Sequence, residues 1–497
     1  AGGFACGLVF SGCTEAADCG AGVRSTVGVL ETEVDVLIIG GGPAGMAAAI
    51  EASNAGVRAL VLERGPQVGG AVTWAGTKSL MLFSGSELQA SAGIFDSPEQ
   101  LLLEWPDITG GNPADPWVDY FARSNVPEVY DWLTALGVVF RGAFFDPSAG
   151  RTARIHPVDD ETGLTLINAL AAVIPQGTVQ LQAEATELIH DGNRIAGARW
   201  SDLATGQEYR TKAAATVLAT GGFLRDLERV RAIRPDLQEI PLQYASFPGA
   251  DGNGLDLLLD AGASTKNIEA IGLYAHGIAE PSGNGEVLAL PFAASSMWLN
   301  AEGRRFVDET STNSFVTGEL LSQQTGGTAW IFADSYVDTL GEFGSEQRGE
   351  LYAVSDLVQS GLVYQASEVG ALALPTGVPE PSLLIATEAF NAFATGESGD
   401  EFRSIAEMAD PLTAAPFYAF PLRVGVAKAF GGIETDLAGR VLGTDGEVLS
   451  GVFACGELAG MAGGSLVGEY GFTGSLSAVV LSGRVAGRAA AETALTP

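Results

Sequence analysis

Positive charge is what this chain has least of. Its 497 residues carry 26 Lys+Arg against 60 Asp+Glu, a formal net charge of −34, and only Lys78, Lys212, Lys266 and Lys428 are lysines. Nucleic-acid binding needs clustered cations to neutralise phosphates, and docking on anionic lipid needs them too, so the composition argues against both. Histidine is limited to His156, His190 and His276, and cysteine to Cys6, Cys13, Cys19 and Cys455. No zinc-type Cys/His pairing and no Cys-x-x-Cys-His haem site can be drawn from these, which argues against a zinc enzyme or a haem carrier. A long apolar run is missing as well. The stretch Ala1–Phe10 is apolar and small, but ten such residues are too few to span a bilayer.

What is present reads as globular. Hydrophobic residues make up 46% and glycine contributes 66 positions, enough apolar material to bury a large core without disulfides or metals. The length predicts about three domains or two large ones. The preference for Arg over Lys suits a salt-adapted or high-GC source and bears on solubility more than mechanism. Residues 1–32 read as a leader or an N-terminal extension. Leu8-Val9-Phe10-Ser11-Gly12-Cys13 looks like the second half of a secretory h-region with a lipoprotein-like cysteine. An exported protein could pair Cys6 with Cys19; a cytoplasmic one would keep both as free thiols.

The strongest motif begins at Val34. Val34–Ile39 is a continuous apolar run of buried parallel-strand type. Gly40-Gly41-Gly42-Pro43-Ala44-Gly45 follows, then an Ala-rich helix from Met46 to Ala55, and a second strand, Val57–Leu62, ending on Glu63. Gly40, Gly42 and Gly45 stand at G-x-G-x-x-G spacing, and the acid comes 18 residues after Gly45. The glycines let backbone approach a pyrophosphate at a helix N-terminus, and Glu63 can accept from a ribose 2′-OH. Three distant segments distinguish FAD from NAD. Glu63-Arg64-Gly65 runs into Gly69-Gly70; Ala215–Thr220 is a strand entering Gly221-Gly222; Gly451–Glu457 is a strand before a Gly-rich loop and a helix over Gly474–Thr493. An NAD-only dehydrogenase has no use for the last two. Cys455 reads as a small buried strand residue ahead of a redox group, and no cysteine pair follows Gly45 for thiol–disulfide chemistry.

From about residue 33 to 495 the chain resembles the flavoprotein family of soluble fumarate reductases, urocanate reductases and 3-ketosteroid dehydrogenases. The residues that carry the likeness are Asn112-Pro113-Ala114-Asp115-Pro116, Arg154-Ile155-His156, Gly249-Ala250-Asp251-Gly252-Asn253-Gly254, Leu299–Phe306, Phe417-Tyr418-Ala419, Gly431-Gly432-Ile433 and Gly456-Glu457. The resemblance implies an α/β fold, a Rossmann-like two-dinucleotide-domain flavoprotein with an inserted α+β capping domain. The implied division is 33–270 and 421–497 for the FAD-binding domain and 271–420 for the cap, with a β-hairpin over Thr178–Thr211 turning at Asp191-Gly192-Asn193. His190 beside that turn is expected to be solvated. The implied cofactor is noncovalent FAD, since covalent attachment needs a His near Gly70 and none is there. Its expected contacts are Gly40, Gly42, Gly45, Glu63, Arg64, Gly69, Gly70, Ala185, Thr220, Gly221, Gly222, Gly456, Glu457, Ser475 and Leu476.

On the substrate side the likeness thins. The family's proton-delivering Arg, after Gly303-Arg304-Arg305-Phe306-Val307-Asp308-Glu309, falls on Asn313; its relay Glu and Arg fall on the apolar run Val287–Phe292. A second substrate His gives way to Ala427-Lys428, and the terminal carboxylate-binding Arg falls near Glu469-Tyr470. Only the early capping-domain His is kept, in Tyr274-Ala275-His276. The protic groups left for catalysis are His276, Tyr470, Tyr418 and Tyr274, each tyrosine with the alternative of a packed ring; Arg423 and Lys428 are candidate contacts for a substrate anion. Forming or reducing a C=C bond beside a carbonyl needs hydride transfer at flavin N5, a positioned acid or base, and donors for the enolate-like charge. These residues predict an FAD-dependent oxidoreductase of CH–CH groups with a relatively apolar, carbonyl-conjugated substrate and an electron donor or acceptor yet to be identified. The alternatives are an exported terminal reductase of a small organic acceptor, and a flavin-bearing electron-transfer or binding subunit.

Overall fold

The computed structural model describes residues 29–74, 79–158, 163–290, 293–311, 313–323, 328–345, 350–403, 410–468 and 471–496. The leader, with Cys6, Cys13 and Cys19, and the candidate Tyr470 lie outside them, as do the side chains of His276 and Asn313.

The run that reads as a buried strand is one. β1 (Leu30–Ile39) lies between β2 (Ala59–Glu63) and a long strand, Glu208–Leu218, both parallel to it. Val36, Leu37 and Ile38 are fully buried because both faces of the sheet are covered. Val36 and Ile38 face helix α1 (Pro43–Asn54) and the C-terminal helix, whereas Leu37 and Ile39 face a separate core under the rest of the sheet. Each such side chain contributes about 1.5–3 kcal/mol. α1 starts at Pro43, ahead of the expected Met46, because proline at the first helical position has its φ preset and gives up an N–H that had no partner.

Eight strands make this sheet: β1, β2, β3 (Val179–Leu181), β4 (Ala183–Asp191), β5 (Arg194–Asp202), β6 (Glu208–Leu218), β15 (Arg440–Leu442) and β16 (Val448–Ala454). β4 and β5 form the expected hairpin across Gly192-Asn193, with His190 exposed on it. β5 pairs antiparallel with the first half of β6, and β16 pairs parallel with its last three residues, Thr216–Leu218. Cys455 follows β16, fully buried, and burial pushes its thiol up to about 12, so it is an inert packing residue.

Two four-stranded sheets complete the part that positions the site. The second has the order β9 (Val287–Ala289), β8 (Ile271–Ala279), β14 (Arg423–Ala429), β7 (Leu242–Tyr244); the third has the order β10 (Met297–Asn300), β11 (Ala329–Ala333), β13 (Phe417–Pro421), β12 (Tyr364–Ala366). The second sheet therefore draws strands from residues 242–244 and 423–429 as well as from 271–289. Helix α2 (Asn253–Asp260) follows the glycine-rich turn at 249–254, α3 (Asn313–Ser322) packs on β8, and α4 (Leu476–Leu495) returns to α1. α4 and α1 pack backbone to backbone. A Cβ at Gly483 would stand 2.2 Å from the Ala44 carbonyl oxygen, and one at Gly487 would stand 2.5 Å from that of Ala48.

Candidate functional site

At the carboxyl ends of β1, β2 and β6 lies a cavity of about 340 Å³, where open α/β sheets place their ligands. Gly40, Gly42, Glu63, Arg64, Gly70, Ala185, Thr220, Gly221, Gly222, Gly456, Glu457 and Leu476 all line it, so five sequence segments spread over more than 400 residues converge there. Gly45, Gly69 and Ser475 do not. Gly45 supports the loop from behind, since a Cβ on it would stand 1.9 Å from the Gly40 carbonyl. Gly69 donates to the Gly41 carbonyl at 2.9 Å. Ser475 precedes α4 as its N-cap and bridges to Met81.

The walls are cut for backbone approach. Gly40 has φ +108°, and a Cβ there would meet the Ala219 carbonyl at 2.3 Å. Nothing lies within 4 Å of where a Cβ on Gly42 or Gly221 would stand, so these two face open space. Two helices end on the cavity with no side chain capping them: α1, through Gly42, Pro43 and Ala44, and α4, through Leu476. Their free N–H groups and positive dipole ends favour a diphosphate or another electron-rich group. The Thr220 hydroxyl on the cavity wall is buried with no hydrogen-bond partner, as expected of a group that meets a ligand.

Glu63 does more than the sequence implies. One carboxylate oxygen accepts from the Gly41 N–H at 2.8 Å and the other from the Gly65 N–H at 2.6 Å. The acid therefore pins the glycine loop after β1 to the loop after β2, while its remaining lone pairs stay on the cavity for a ribose hydroxyl. Arg64 reaches across to Asp251 and to the Gly249 carbonyl, the latter at 3.1 Å. The turn at 249–254 was not among the expected contacts, yet Gly249, Asp251, Asn253 and Gly254 line the cavity. The signal was in the sequence: a glycine-rich run opening a helix, the same arrangement as the first motif. A Cβ at Gly254 would stand 1.9 Å from the Thr220 hydroxyl oxygen.

The second sheet runs beside the lining residue Glu457. Glu457 accepts from the Ala429 N–H at 2.9 Å. Burial pushes its carboxyl up, against the pull of that N–H and of the Lys428 charge. Lys428 Nζ lies 3.5 Å from the Ser475 hydroxyl and 5.9 Å from the centre of the Phe430 ring. Tyr274 is on β8 with its side chain half-buried, opposite Gly425. His276 lies on the same strand. Tyr418 is placed differently from the expectation. It is 2% exposed on β13, its hydroxyl donates to the Asp338 carboxylate at 2.8 Å and accepts from the Gln365 amide at 2.9 Å, and it is absent from the cavity lining. Burial and Asp338 push that phenol up to about 12. Tyr418 ties β13 to its neighbours, which corrects its assignment as a catalytic group.

Among the described residues no cluster of three or more His, Cys, Asp or Glu could hold a metal, and no helix is long and apolar enough to cross a membrane. His156 is buried, bonded to the Ser86 hydroxyl at 2.7 Å and the Arg154 carbonyl at 2.8 Å, and burial lowers it to about 4. Arg154 beside it is fully buried and paired with Asp96 and Glu104. This network is framework.

Comparison with known proteins agrees with the geometry. Residues 35–468 match the family model described as FAD binding domain. A fumarate reductase (cytochrome) from Shewanella frigidimarina is 27% identical, over 92% of this chain and 77% of that protein. A KsdD-like steroid dehydrogenase from Mycobacterium tuberculosis is 28% identical, over 92% of this chain and 96% of the relative. The open conformation of a flavocytochrome c3 fumarate reductase superposes with a TM-score of 0.73 at 25% identity, covering 93% of this chain and 79% of that one.

Proposed function

Because this chain belongs to the FAD-binding domain family, we propose that it is an FAD-dependent oxidoreductase that reduces or forms a carbon–carbon double bond conjugated to a carbonyl. The observation that supports the reading is the meeting of two built surfaces, the glycine-walled cavity with two uncapped helix ends and the sheet face bearing Tyr274 and Lys428. The named relatives act on fumarate or are steroid dehydrogenases, and a CH–CH or CH=CH unit next to a carbonyl is common to both chemistries.

FAD, when bound, supplies a hydride donor or acceptor at N5. The protein's part is to hold it and to manage charge and protons. The α1 N-terminus and Gly40–Gly42 take the diphosphate, Glu63 a ribose, and the Thr220 hydroxyl a polar edge. The uncapped start of α4, with Lys428 beside it, favours negative charge at the inner end of the cavity. Tyr274, His276 and Tyr470 are the candidate groups for carrying the second proton. With the dicarboxylate clamp of the fumarate reductases replaced by Val287–Phe292, Asn313 and Ala427-Lys428, the substrate is relatively apolar. An electron carrier without substrate chemistry is the competing reading; the half-buried cations Arg423 and Lys428 on β14 speak against it.

Purified protein, its flavin photoreduced under anaerobic conditions, is to be mixed with fumarate, urocanate, aryl-acrylates and 3-ketosteroids. Reoxidation by at least one conjugated acceptor is expected. His276→Ala or Tyr470→Phe should lower turnover by roughly 10²-fold while FAD stays bound. Reoxidation by oxygen alone, with every conjugated acceptor inert, would refute the proposal.

A further inference from the structure

The second sheet has two unlike faces. Residues directly opposite in an antiparallel pair share a face, as do residues two apart on a strand. Tyr274 stands opposite Gly425, Gly277 opposite Arg423, and Gly272 opposite Lys428. Arg423 and Gly425 therefore share a face with Tyr274, and the register shift between Gly272 and Leu273 brings Lys428, opposite Gly272, onto that face as well. On the other, Leu273, Ala275, Val424 and Val426 are buried at 7%, 0%, 0% and 0% exposure in the apolar core.

The first face comes near the cofactor cavity at Lys428, whose charge acts on the lining residue Glu457. Three of its positions are glycines, and its side chains are half-buried. Arg423 is the anomaly there. Its one hydrogen bond goes from Nη1 to the Leu422 carbonyl at 3.1 Å, and no carboxylate among the described residues bonds it. Burial alone acts on it and lowers its pKa. A guanidinium partly withdrawn from water without a counter-charge is costly, and such charges are ordinarily paired. Acids were not scarce, because the chain holds 60 of them against 26 bases. Buried arginines elsewhere do have them: Arg154 bonds Asp96 and Glu104, and Arg305 and Arg403 both bond Glu309. Arg423 stands some four to five strand residues, about 13–16 Å, from Lys428.

We propose that Arg423 is the anchor for a carboxylate of the substrate, remote from the reacting double bond. The substrate is then an amphipathic acid, with an apolar body, a conjugated carbonyl at the Lys428 end and one carboxylate at the Arg423 end. The planar fork of arginine suits a carboxylate bidentately. Short enoates such as acrylate are unable to span both cations. This assignment rests on the proposed function for the meaning of the Lys428 end, and on the structure alone for the Arg423 end.

The test uses the FAD-loaded enzyme with 4-carboxybenzylideneacetone, its methyl ester and unsubstituted benzylideneacetone. Binding is read from the perturbation of the flavin absorption band, and turnover from reoxidation of the photoreduced enzyme. The wild type is expected to bind the acid at least tenfold tighter than the ester, and Arg423→Gln to lose that ratio. Arg423→Lys should retain part of it, which separates loss of charge from loss of fold. An acid-to-ester binding ratio near one in the wild type, or an unchanged ratio in Arg423→Gln, overturns the anchor. Turnover reports on the other claim. Acid binding that depends on Arg423 without reoxidation by any enone would leave the anchor standing and remove the proposed function.

Discussion

The double role of Glu63 can be measured. Its carboxylate accepts from Gly41 and Gly65 at 2.8 and 2.6 Å, and Glu63→Ala removes both bonds. Hydrogen bonds to a charged group contribute about 1.5–3 kcal/mol each. The half-buried Gly65 N–H regains water whereas the buried Gly41 N–H loses its acceptor, so about 2–3 kcal/mol is the net cost to an ordered pair of loops. Because FAD requires those loops in place, the cost appears in cofactor affinity, as a rise in Kd of roughly 30- to 150-fold. Glu63→Gln keeps one acceptor but points an amide N–H₂ at the other backbone donor, so it should fall between wild type and alanine. The assay is titration of apoprotein with FAD, followed by flavin fluorescence, beside a thermal melt of the apoprotein. A loop-pinning role lowers both affinity and Tm. FAD affinity within threefold of wild type for Glu63→Ala would refute the reasoning.

Three further outcomes follow from the same contacts. His156 is held neutral at about 4 against an ordinary 6.5, so the unfolded chain binds the extra proton. The stability this contributes is complete above pH 6.5 and is lost as pH falls towards 4, about 3 kcal/mol in all; denaturant titrations from pH 7 to 4 should show a steeper loss for wild type than for His156→Gln. Gly483→Leu places atoms where the Ala44 carbonyl stands 2.2 Å away. It should cost about 1–3 kcal/mol and release FAD, as Ala44 lines the cavity; a melt and the bound-flavin ratio check it. Tyr418→Phe removes the bonds to Asp338 and Gln365, at a cost of about 1 kcal/mol in stability, with turnover within about twofold of wild type. A hundredfold fall in turnover with FAD retained would return Tyr418 to the active site.

The sequence made the cofactor side legible because backbone approach leaves a mark that side chains do not. Gly40, Gly42, Gly221 and Gly222 are glycines for steric reasons visible one motif at a time, and the strand before each motif is a plain apolar run. The turn at 249–254 carried the same mark, and only the fold shows that it faces Thr220. The substrate side was harder to read because its residues acquire meaning by pairing. Tyr418 and Tyr274 are both strand tyrosines in sequence. One has its hydroxyl bonded to Asp338 and Gln365, and the other stands half-buried across from Gly425. Likewise Arg423 looks like any arginine until the fold places it half-buried on β14, bonded to the Leu422 carbonyl and to no carboxylate among the described residues.

The third sheet ends at Pro421 and the second resumes at Arg423, so Leu422 alone joins β13 to β14. Backbone hydrogen bonds lock β14 to β8 and β7 on one side of that joint, and lock β13 to β11 and β12 on the other. Mechanically these are two plates, each held by its own ladder, joined along the chain at Leu422 and through the link from β9 to β10, and packed into one apolar core in which Val424 and Val426 lie with Ile331 and Phe420. Leu422 itself is fastened to the third sheet through its N–H, which donates to the Ala329 carbonyl at 2.9 Å, so the joint is the backbone just after it. Arg423 is the first residue past that joint, so for a given tilt it travels least on its strand, while Lys428, five residues on, travels farther.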